Sequence, residues 1–191
     1  MSVVSKDIVS FWKTDVGVKG WINPTKELTD RMQSEFAQTQ EAARAGELGS
    51  WICGHESCLA LILLLDQFPR MMHRGKPESF ASDGLALAVA KRAIVMGHNL
   101  KVPEHLRQFF YLPLMHSESL MDQERCVRLM SLRLPNCTPG QLKHAKAHRD
   151  IIRQFGRFPC RNKYLGRECT PSEQRYLDQG GYDYVVRAVA A

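Results

Sequence analysis

Apolar residues recur at helical spacing along nearly the whole chain, and this periodicity limits the folds that the sequence can adopt. The longest apolar run, residues 58–65, is apolar on almost all sides, which is typical of a central, buried helix. No segment has the sustained two-residue alternation that predicts a strand. Because the connections are short and contain Gly or Pro, we expect an all-α domain of stacked antiparallel pairs, with roughly seven to eight helices.

Capping residues and helix breakers predict where the helices begin and end. Asn23 is expected to cap one helix, and Pro69 is expected to disturb the helix over residues 57–67 because proline lacks an N–H. Ser117 is expected to cap a later helix. Other helices are predicted over residues 5–13, 82–96, 103–109, 139–155 (capped by Thr138) and 171–177 (capped by Thr170 with Glu173).

The length of the chain, its longest apolar run and its N-terminal residues limit the class of protein that it can be. A chain of 191 residues fits a single domain over residues 1–191, with about 180–191 as a loosely packed tail. The longest apolar run is much shorter than the ~18 residues of a membrane span. The N-terminus has no signal-peptide pattern, so we expect a soluble cytoplasmic protein whose oligomeric state stays open.

Metal and cofactor sites are not expected. The six cysteines form no C-x-x-C pair, which indicates free thiols. His144 and His148 have the i, i+4 spacing of metal ligands, but the glutamate of an H-E-x-x-H motif is missing. The glycine loops that bind nucleotides are also missing. We therefore predict no metal and no cofactor.

The net charge of +6 is concentrated between Arg125 and Arg167, where Asp150 is the only acidic residue. A basic region of this kind can form ion pairs inside the fold, bind an anionic ligand or bind nucleic acid. Zinc-finger spacing and an aromatic–glycine RNA motif are both missing, which counts against nucleic acid without excluding it.

Two segments place arginines next to a Phe-Pro pair at the end of a helix, one around Arg70 and one around Arg161. If these helix ends meet, they form an arginine-lined polar pocket suited to an acidic peptide or a small anionic ligand. A buried network that only locks helices together is the other interpretation. The ligand-binding candidates are Arg70, Arg74, Arg157, Arg161, Asn162, Gln67, Asp83 and His148.

A catalytic function is the alternative to a binding module. His116 is a candidate general base for a small hydrolase or transferase, provided that a carboxylate from Asp66 or Glu118 orients it. The second alternative is nucleic-acid binding by residues 125–167. These residues do not name a reaction, so we favour the binding module.

The polar segments resemble domain of unknown function family 924, a family of uncharacterised and mostly bacterial proteins. The residues that carry the resemblance are Leu64–Arg70 with Arg74-Gly75, Phe80-Ala81 with Asp83, Pro113–Glu118, Asp122-Gln123, His148–Asp150, Phe155–Asn162 and Leu165–Arg167. The resemblance implies a tetratricopeptide-like fold of stacked helical hairpins, and it implies no activity. This chain has Cys160 where relatives often carry a histidine.

Overall fold

The computed structural model describes residues 3–136 and 139–189, and this part of the chain is helical and contains no strand. The all-α prediction is confirmed, whereas the tetratricopeptide-like stacking stays a prediction. The described residues form twelve α-helices: α1 Ser5–Phe11, α2 Gly17–Ile22, α3 Lys26–Arg44, α4 His55–Ile62, α5 Phe68–Met72, α6 Asp83–Val95, α7 Glu104–Arg107, α8 Leu112–Met115, α9 Leu120–Arg133, α10 Pro139–Phe155, α11 Pro171–Asp178 and α12 Gly181–Ala188.

The helices outnumber the predicted seven to eight because π-helical and 3₁₀ turns divide segments that the periodicity predicts as continuous. The segment predicted over residues 57–67 shows this, because α4 runs into a π-helical turn, Leu63–Gln67, and then into α5. A π-helical turn directly precedes Pro69, where the sequence predicts a disturbance, but the helix continues through Phe68 and Pro69. Pro69 lies in the first turn of α5, where a missing N–H costs little.

Pro69 nevertheless deprives the carbonyl of Leu65 of its α-helical donor, because the donor would be the N–H four residues on. The hydroxyl of Ser82 donates to this carbonyl at 2.6 Å. Both residues are buried, with Ser82 1% and Leu65 2% exposed. Ser82 precedes α6, so this one hydrogen bond ties the start of α6 to the π-helical turn.

The chain divides into two compact units, Met1–Pro103 and Glu104–Ala191. The first unit contains α1 to α6 and the second contains α7 to α12. Each unit has buried apolar residues of its own. The single domain over residues 1–191 stays a prediction.

An aromatic cluster forms part of the core of the first unit. The ring of Phe68 lies 5.7 Å from that of Phe36, 5.9 Å from that of Trp12 and 6.4 Å from that of Phe11, measured between centroids. All four side chains are buried. Burying a side chain of this size contributes about 1.5–3 kcal/mol, so the cluster holds the start of α5 firmly in place.

The core of the second unit is built on α10. Ile151 and Ile152 of this helix are buried with Phe158 and Tyr176, and Tyr182 and Val185 of α12 pack against them. Residues 181–188 of the predicted tail form a helix, Gly181–Ala188, and the loose packing of the tail stays a prediction. The packing of this core also fixes the loop that follows α10, which carries several of the predicted site residues.

One predicted cap is present and one lies outside the described residues. The hydroxyl of Thr170 accepts from the backbone N–H of Glu173, and the carboxylate of Glu173 accepts from the backbone N–H of Thr170 at 2.7 Å. This capping box begins α11 as predicted. Helix α10 begins at Pro139 as expected, but Thr138 lies outside the described residues.

Two other predicted caps are wrong. Thr25 rather than Asn23 caps α3, because its side chain accepts from the N–H of Leu28. Ser117 does not cap α9, since its hydroxyl donates to the carboxylate of Asp122 at 2.9 Å. Helix α9 therefore begins later, at Leu120.

Candidate functional site

Four of the predicted site residues lie together in the first unit. Arg70 donates to the backbone carbonyl of Asp66 at 2.9 Å and lies 3.2 Å from its carboxylate. Arg70 also forms a two-point ion pair with Asp83, with N···O distances of 2.8 and 2.9 Å. The amide of Gln67 donates to the carboxylate of Asp66 at 2.5 Å.

This arrangement balances the charge of Arg70 within the first unit. Burial alone would lower the pKa of Arg70, but the charges of Asp66 and Asp83 outweigh it and raise the pKa. Asp66 is only 1% exposed, and a carboxylate buried this deeply needs a cationic partner. The group therefore fits the locking interpretation better than an anion site. Arg74, the other predicted arginine here, is exposed on the turn after α5.

Arg157 is paired in a similar way in the second unit. Its guanidinium donates to both carboxylate oxygens of Glu173, at 2.6 and 2.8 Å, and to the backbone carbonyl of Glu168 at 2.8 Å. The bond from Arg157 is the main reason that the pKa of Glu173 falls to about 2. Arg157 therefore stabilises the start of α11 and presents little unpaired charge to a ligand.

Glu118 holds the Phe-Pro turn after α10. Its carboxylate accepts two bonds from Arg167, at 2.8 and 3.0 Å, and one from the backbone N–H of Phe158 at 2.8 Å. Desolvation would raise the pKa of Glu118, but these donors and the positive charges of Arg167 and Arg161 lower it below its usual value. Three donors on one carboxylate weaken the case for Glu118 as the partner of a catalytic His116. The pairing of His116 with either carboxylate stays a prediction.

The backbone on either side of His116 is clamped by a residue that sequence analysis did not select. Gln123 of α9 is 0% exposed, and its amide donates to the carbonyls of Met115 and Ser117 at 2.6 and 2.7 Å. Arg161 donates to the carbonyl of His116 itself at 3.0 Å. Three successive carbonyls are thus held by two side chains.

A signal for Gln123 was present in the sequence. Gln123, Cys126 and Met130 are buried at the spacing i, i+3, i+7, so they form the inward face of α9. A glutamine on an apolar face must find hydrogen-bond partners inside the fold. That pattern marks Gln123 as a structural polar residue, although it does not reveal its partners.

His148 lies beside this clamp, on α10. Its ring centroid is 6.3 Å from that of His116, 5.4 Å from that of Phe158 and 4.9 Å from that of Tyr182. Its Nδ1 lies 2.9 Å from the backbone carbonyl of His144. The guanidinium of Arg161 lies over the same Phe158 ring, 4.5 Å from its centroid. We call His116, His148 and Arg161 the basic cluster.

The surroundings of His148 keep it neutral. Burial lowers its pKa most, and the charges of His116 and Arg161 lower it further, while the bond to the His144 carbonyl opposes them. The resulting pKa is about 3. A histidine with this pKa carries no charge near neutral pH. All three members of the basic cluster are half-buried, so solvent reaches them.

The ring nitrogens of His144 and His148 make separate contacts. His144 points its Nδ1 at the hydroxyl of Tyr182, 2.5 Å away, and stacks on that ring. Within the described residues, no group of three or more His, Cys, Asp or Glu side chains is arranged to hold a metal ion.

Asn162 is the most buried of the predicted ligand-binding residues, with 0% exposure. Its amide nitrogen lies 3.3 Å from the sulfur of Cys169, and its Oδ1 has no hydrogen-bond partner among the described residues. Its backbone N–H donates to the carbonyl of Pro159. These contacts place Asn162 inside the turn after α10, where it organises the loop.

Four arginines of the basic stretch form ion pairs with carboxylates, most of which lie outside the stretch. Arg149 and Arg153 form ion pairs with Asp150 and with Glu124 of α9. Together with the partners of Arg157 and Arg167, these contacts support internal pairing as the role of this region. Nucleic-acid binding by residues 125–167 stays a prediction.

The predicted convergence of Arg70 and Arg161 on one pocket also stays a prediction, because the two residues belong to different units. The five described cysteines are free thiols, as expected. Among the described residues, no helix is both long enough and apolar enough to cross a membrane.

Comparison with known proteins gives a family and a fold but no activity. Residues 8–181 match a family described as bacterial protein of unknown function (DUF924). The structure of a protein of unknown function from Agrobacterium tumefaciens is similar, with 43% sequence identity and a TM-score of 0.86. The similarity covers 92% of this chain and 97% of that one. No curated protein matches the sequence.

Proposed function

The chain belongs to the DUF924 family of bacterial proteins of unknown function, and from that premise we propose that it is a binding module for a small anionic ligand. The proposed site is the basic cluster of His116, His148 and Arg161 in the second unit. Arg161 supplies a permanent positive charge, and the two imidazoles supply polar atoms beside it.

The observation that carries the proposal is the sign of the charges around His148. The ionisable side chains that lower its pKa most are His116 and Arg161, both of them basic. Arg70 lies between two carboxylates and Arg157 lies on a third, while the charge of Arg161 acts on Glu118 as well as on His148. Basic groups at a half-buried site attract an anion, because partial burial weakens screening by water.

The rigidity of the cluster supports the same function. The backbone of His116 is held by Gln123 and Arg161, and Arg161 is held against the ring of Phe158. A site whose donors are already fixed loses little conformational entropy when a ligand binds.

The test is a thermal-shift titration with inorganic phosphate and with a simple carboxylate, at constant ionic strength maintained with chloride. A ligand at 100 times its Kd stabilises the folded state by about 2.7 kcal/mol, which corresponds to a rise in Tm of several degrees. We expect the Arg161→Gln variant to lose this rise, because the permanent charge is gone.

Arg153→Gln is the matched control. Arg153 belongs to the same basic stretch, but it is paired with Glu124 on the exposed face of α10, and its side chain is 55% exposed. Its variant should respond to the anion as the unmodified protein does. The proposal fails if neither anion raises the Tm above the chloride control, or if Arg161→Gln responds as strongly as Arg153→Gln.

A further inference from the structure

A buried amide faces the sulfur of an exposed cysteine in the segment between α10 and α11. The cysteine is Cys169, and the amide nitrogen of Asn162 donates to its sulfur at 3.3 Å. Asn162 is 0% exposed, and its buried Oδ1 has no hydrogen-bond partner among the described residues. One amide group therefore places a donor on the sulfur and keeps an unused acceptor next to that donor.

The backbone contacts of Asn162 do not explain the unused acceptor of its side chain. Its N–H donates to the carbonyl of Pro159 at 3.0 Å, and its carbonyl accepts from the N–H of Arg167 at 2.9 Å. These bonds hold the turn after α10 without any help from the amide group. A buried polar atom without a partner lowers stability, so native proteins keep few of them.

One ion pair holds the backbone on both sides of Cys169. Arg157 donates to the carbonyl of Glu168 at 2.8 Å, and the carboxylate of Glu173 accepts from the N–H of Thr170 at 2.7 Å. Arg157 and Glu173 are joined to each other at 2.6 and 2.8 Å. The charge of Arg157, which Glu173 shares, also acts on Cys169. The position of the thiol is therefore fixed by the backbone around it.

The other described cysteines are less well placed to react with a reagent from solvent. Cys58 and Cys126 are buried, and burial raises the pKa of both thiols. Desolvation is the main reason that the pKa of Cys160 is raised. Cys53 is exposed, but its sulfur has no hydrogen-bond partner within the described part of the chain. Since the thiolate is the reactive form of cysteine and accepts hydrogen bonds, the exposed Cys169 with its amide donor is the best candidate.

From this arrangement we propose that Cys169 is a site of reversible oxidation by hydrogen peroxide, and that Asn162 holds the sulfenic acid that forms. The sulfur attacks one peroxide oxygen, so that an S–O bond forms and the O–O bond breaks. The sulfur loses two electrons to the peroxide, and the departing hydroxide takes up the thiol proton to give water. The new S–O–H group donates to Oδ1 of Asn162, the acceptor that has no partner in the thiol form.

The first test compares the cysteines of the protein without substitutions. The protein is treated with hydrogen peroxide in the presence of a cyclic diketone that traps sulfenic acids, and labelling of each cysteine is quantified by peptide mass spectrometry. We expect Cys169 to be labelled about tenfold or more faster than Cys53, which is the factor that one hydrogen bond to a charged group provides. Equal rates at these two residues overturn the proposal, as does faster labelling of Cys160.

Asn162→Asp tests the role of the amide. The substitution replaces the N–H donor with a carboxylate oxygen of nearly the same shape, so the labelling rate of Cys169 should fall to about that of Cys53. Asn23→Asp is the matched control, since it makes the same chemical change at an exposed position in the first unit and should leave the preference intact. An unchanged preference in an Asn162→Asp protein that circular dichroism shows to be folded contradicts the role of Asn162.

A second measurement does not depend on the folding of a variant. The ¹⁵N NMR resonance of the Asn162 side-chain amide reports on the hydrogen bonds of that group. We expect it to shift when peroxide oxidises Cys169 and to return when a thiol reductant restores the thiol. An amide resonance that stays unmoved while Cys169 is oxidised overturns the proposal, as does an oxidation that the reductant does not reverse.

Discussion

Replacing Ser82 with alanine tests how the fold accommodates a proline inside a buried helical segment. The hydroxyl of Ser82 donates to the carbonyl of Leu65 at 2.6 Å, and both residues are almost fully buried. Pro69 cannot donate to that carbonyl because it has no N–H. The Ser82→Ala variant therefore leaves a buried acceptor without this donor, in a place that water does not reach.

The expected cost follows from that burial. The net contribution of a typical hydrogen bond to the free energy of unfolding is about 0.5–1.5 kcal/mol. A buried acceptor that is left without a partner lowers the free energy of unfolding by about 1–3 kcal/mol. The substitution removes one oxygen and no methylene, so the cavity contribution is small. We expect the free energy of unfolding to fall by about 1–3 kcal/mol.

Urea denaturation measures this change. The midpoint should fall with an unchanged m-value, because the surface exposed on unfolding is nearly the same. Ser34→Ala is the control, since the hydroxyl of Ser34 bonds to the Arg31 carbonyl on the exposed face of α3. Its effect should stay within about 0.5 kcal/mol, as for most surface substitutions.

A double-mutant cycle of Ser82 and Pro69 tests whether the Leu65 carbonyl depends on Ser82 because of the proline. In a Pro69→Ala background the new N–H can donate to the Leu65 carbonyl, so Ser82→Ala should cost less there than in the unmodified protein. A cost below about 0.5 kcal/mol in the unmodified protein refutes the argument, because the Leu65 carbonyl would then not depend on Ser82. Equal costs in both backgrounds would refute the role assigned to Pro69.

Two further predictions concern the capping box that begins α11. The pKa of Glu173 is lowered from 4.5 to about 2, so its ionised form contributes stability above pH 4.5 that is lost as the pH falls towards 2. Acid titrations followed by circular dichroism should show Glu173→Gln less stable at neutral pH and less sensitive to acid in that range; parallel curves for the two proteins would contradict this. Thr170→Ala should lower the free energy of unfolding by about 0.5–2 kcal/mol in urea. Its cost should not add fully to that of Glu173→Gln, since both residues belong to one box.

The sequence was informative wherever the relevant interaction was local. Helical periodicity, the capping box at Thr170 and the start of α10 at Pro139 depend on residues within a few positions of one another. Local patterns predicted the wrong helix cap where a neighbouring residue could cap the helix or where the capping side chain had another partner. Thr25 caps α3 in place of Asn23, and Ser117 bonds to Asp122 in place of capping α9.

The basic stretch shows how far a local count of charges can mislead. Asp150 is its only acidic residue, yet Glu118, Glu124 and Glu173 all supply carboxylates from outside it. Glu118 and Arg167 are 49 residues apart, and no spacing rule connects residues at that distance. Part of the positive charge of this segment is thus neutralised in the fold by carboxylates that lie outside it in the sequence.

Local physical chemistry was sufficient to establish that this chain is all-α, where most helices lie and which segments concentrate polar side chains, since periodicity and caps act over one or two turns. The choice of partner for each buried charge and the role of Gln123 came from packing. So did the neutral state of His148 among basic neighbours. These properties depend on which distant side chains meet and on how completely water is excluded, and both are set when the helices pack together.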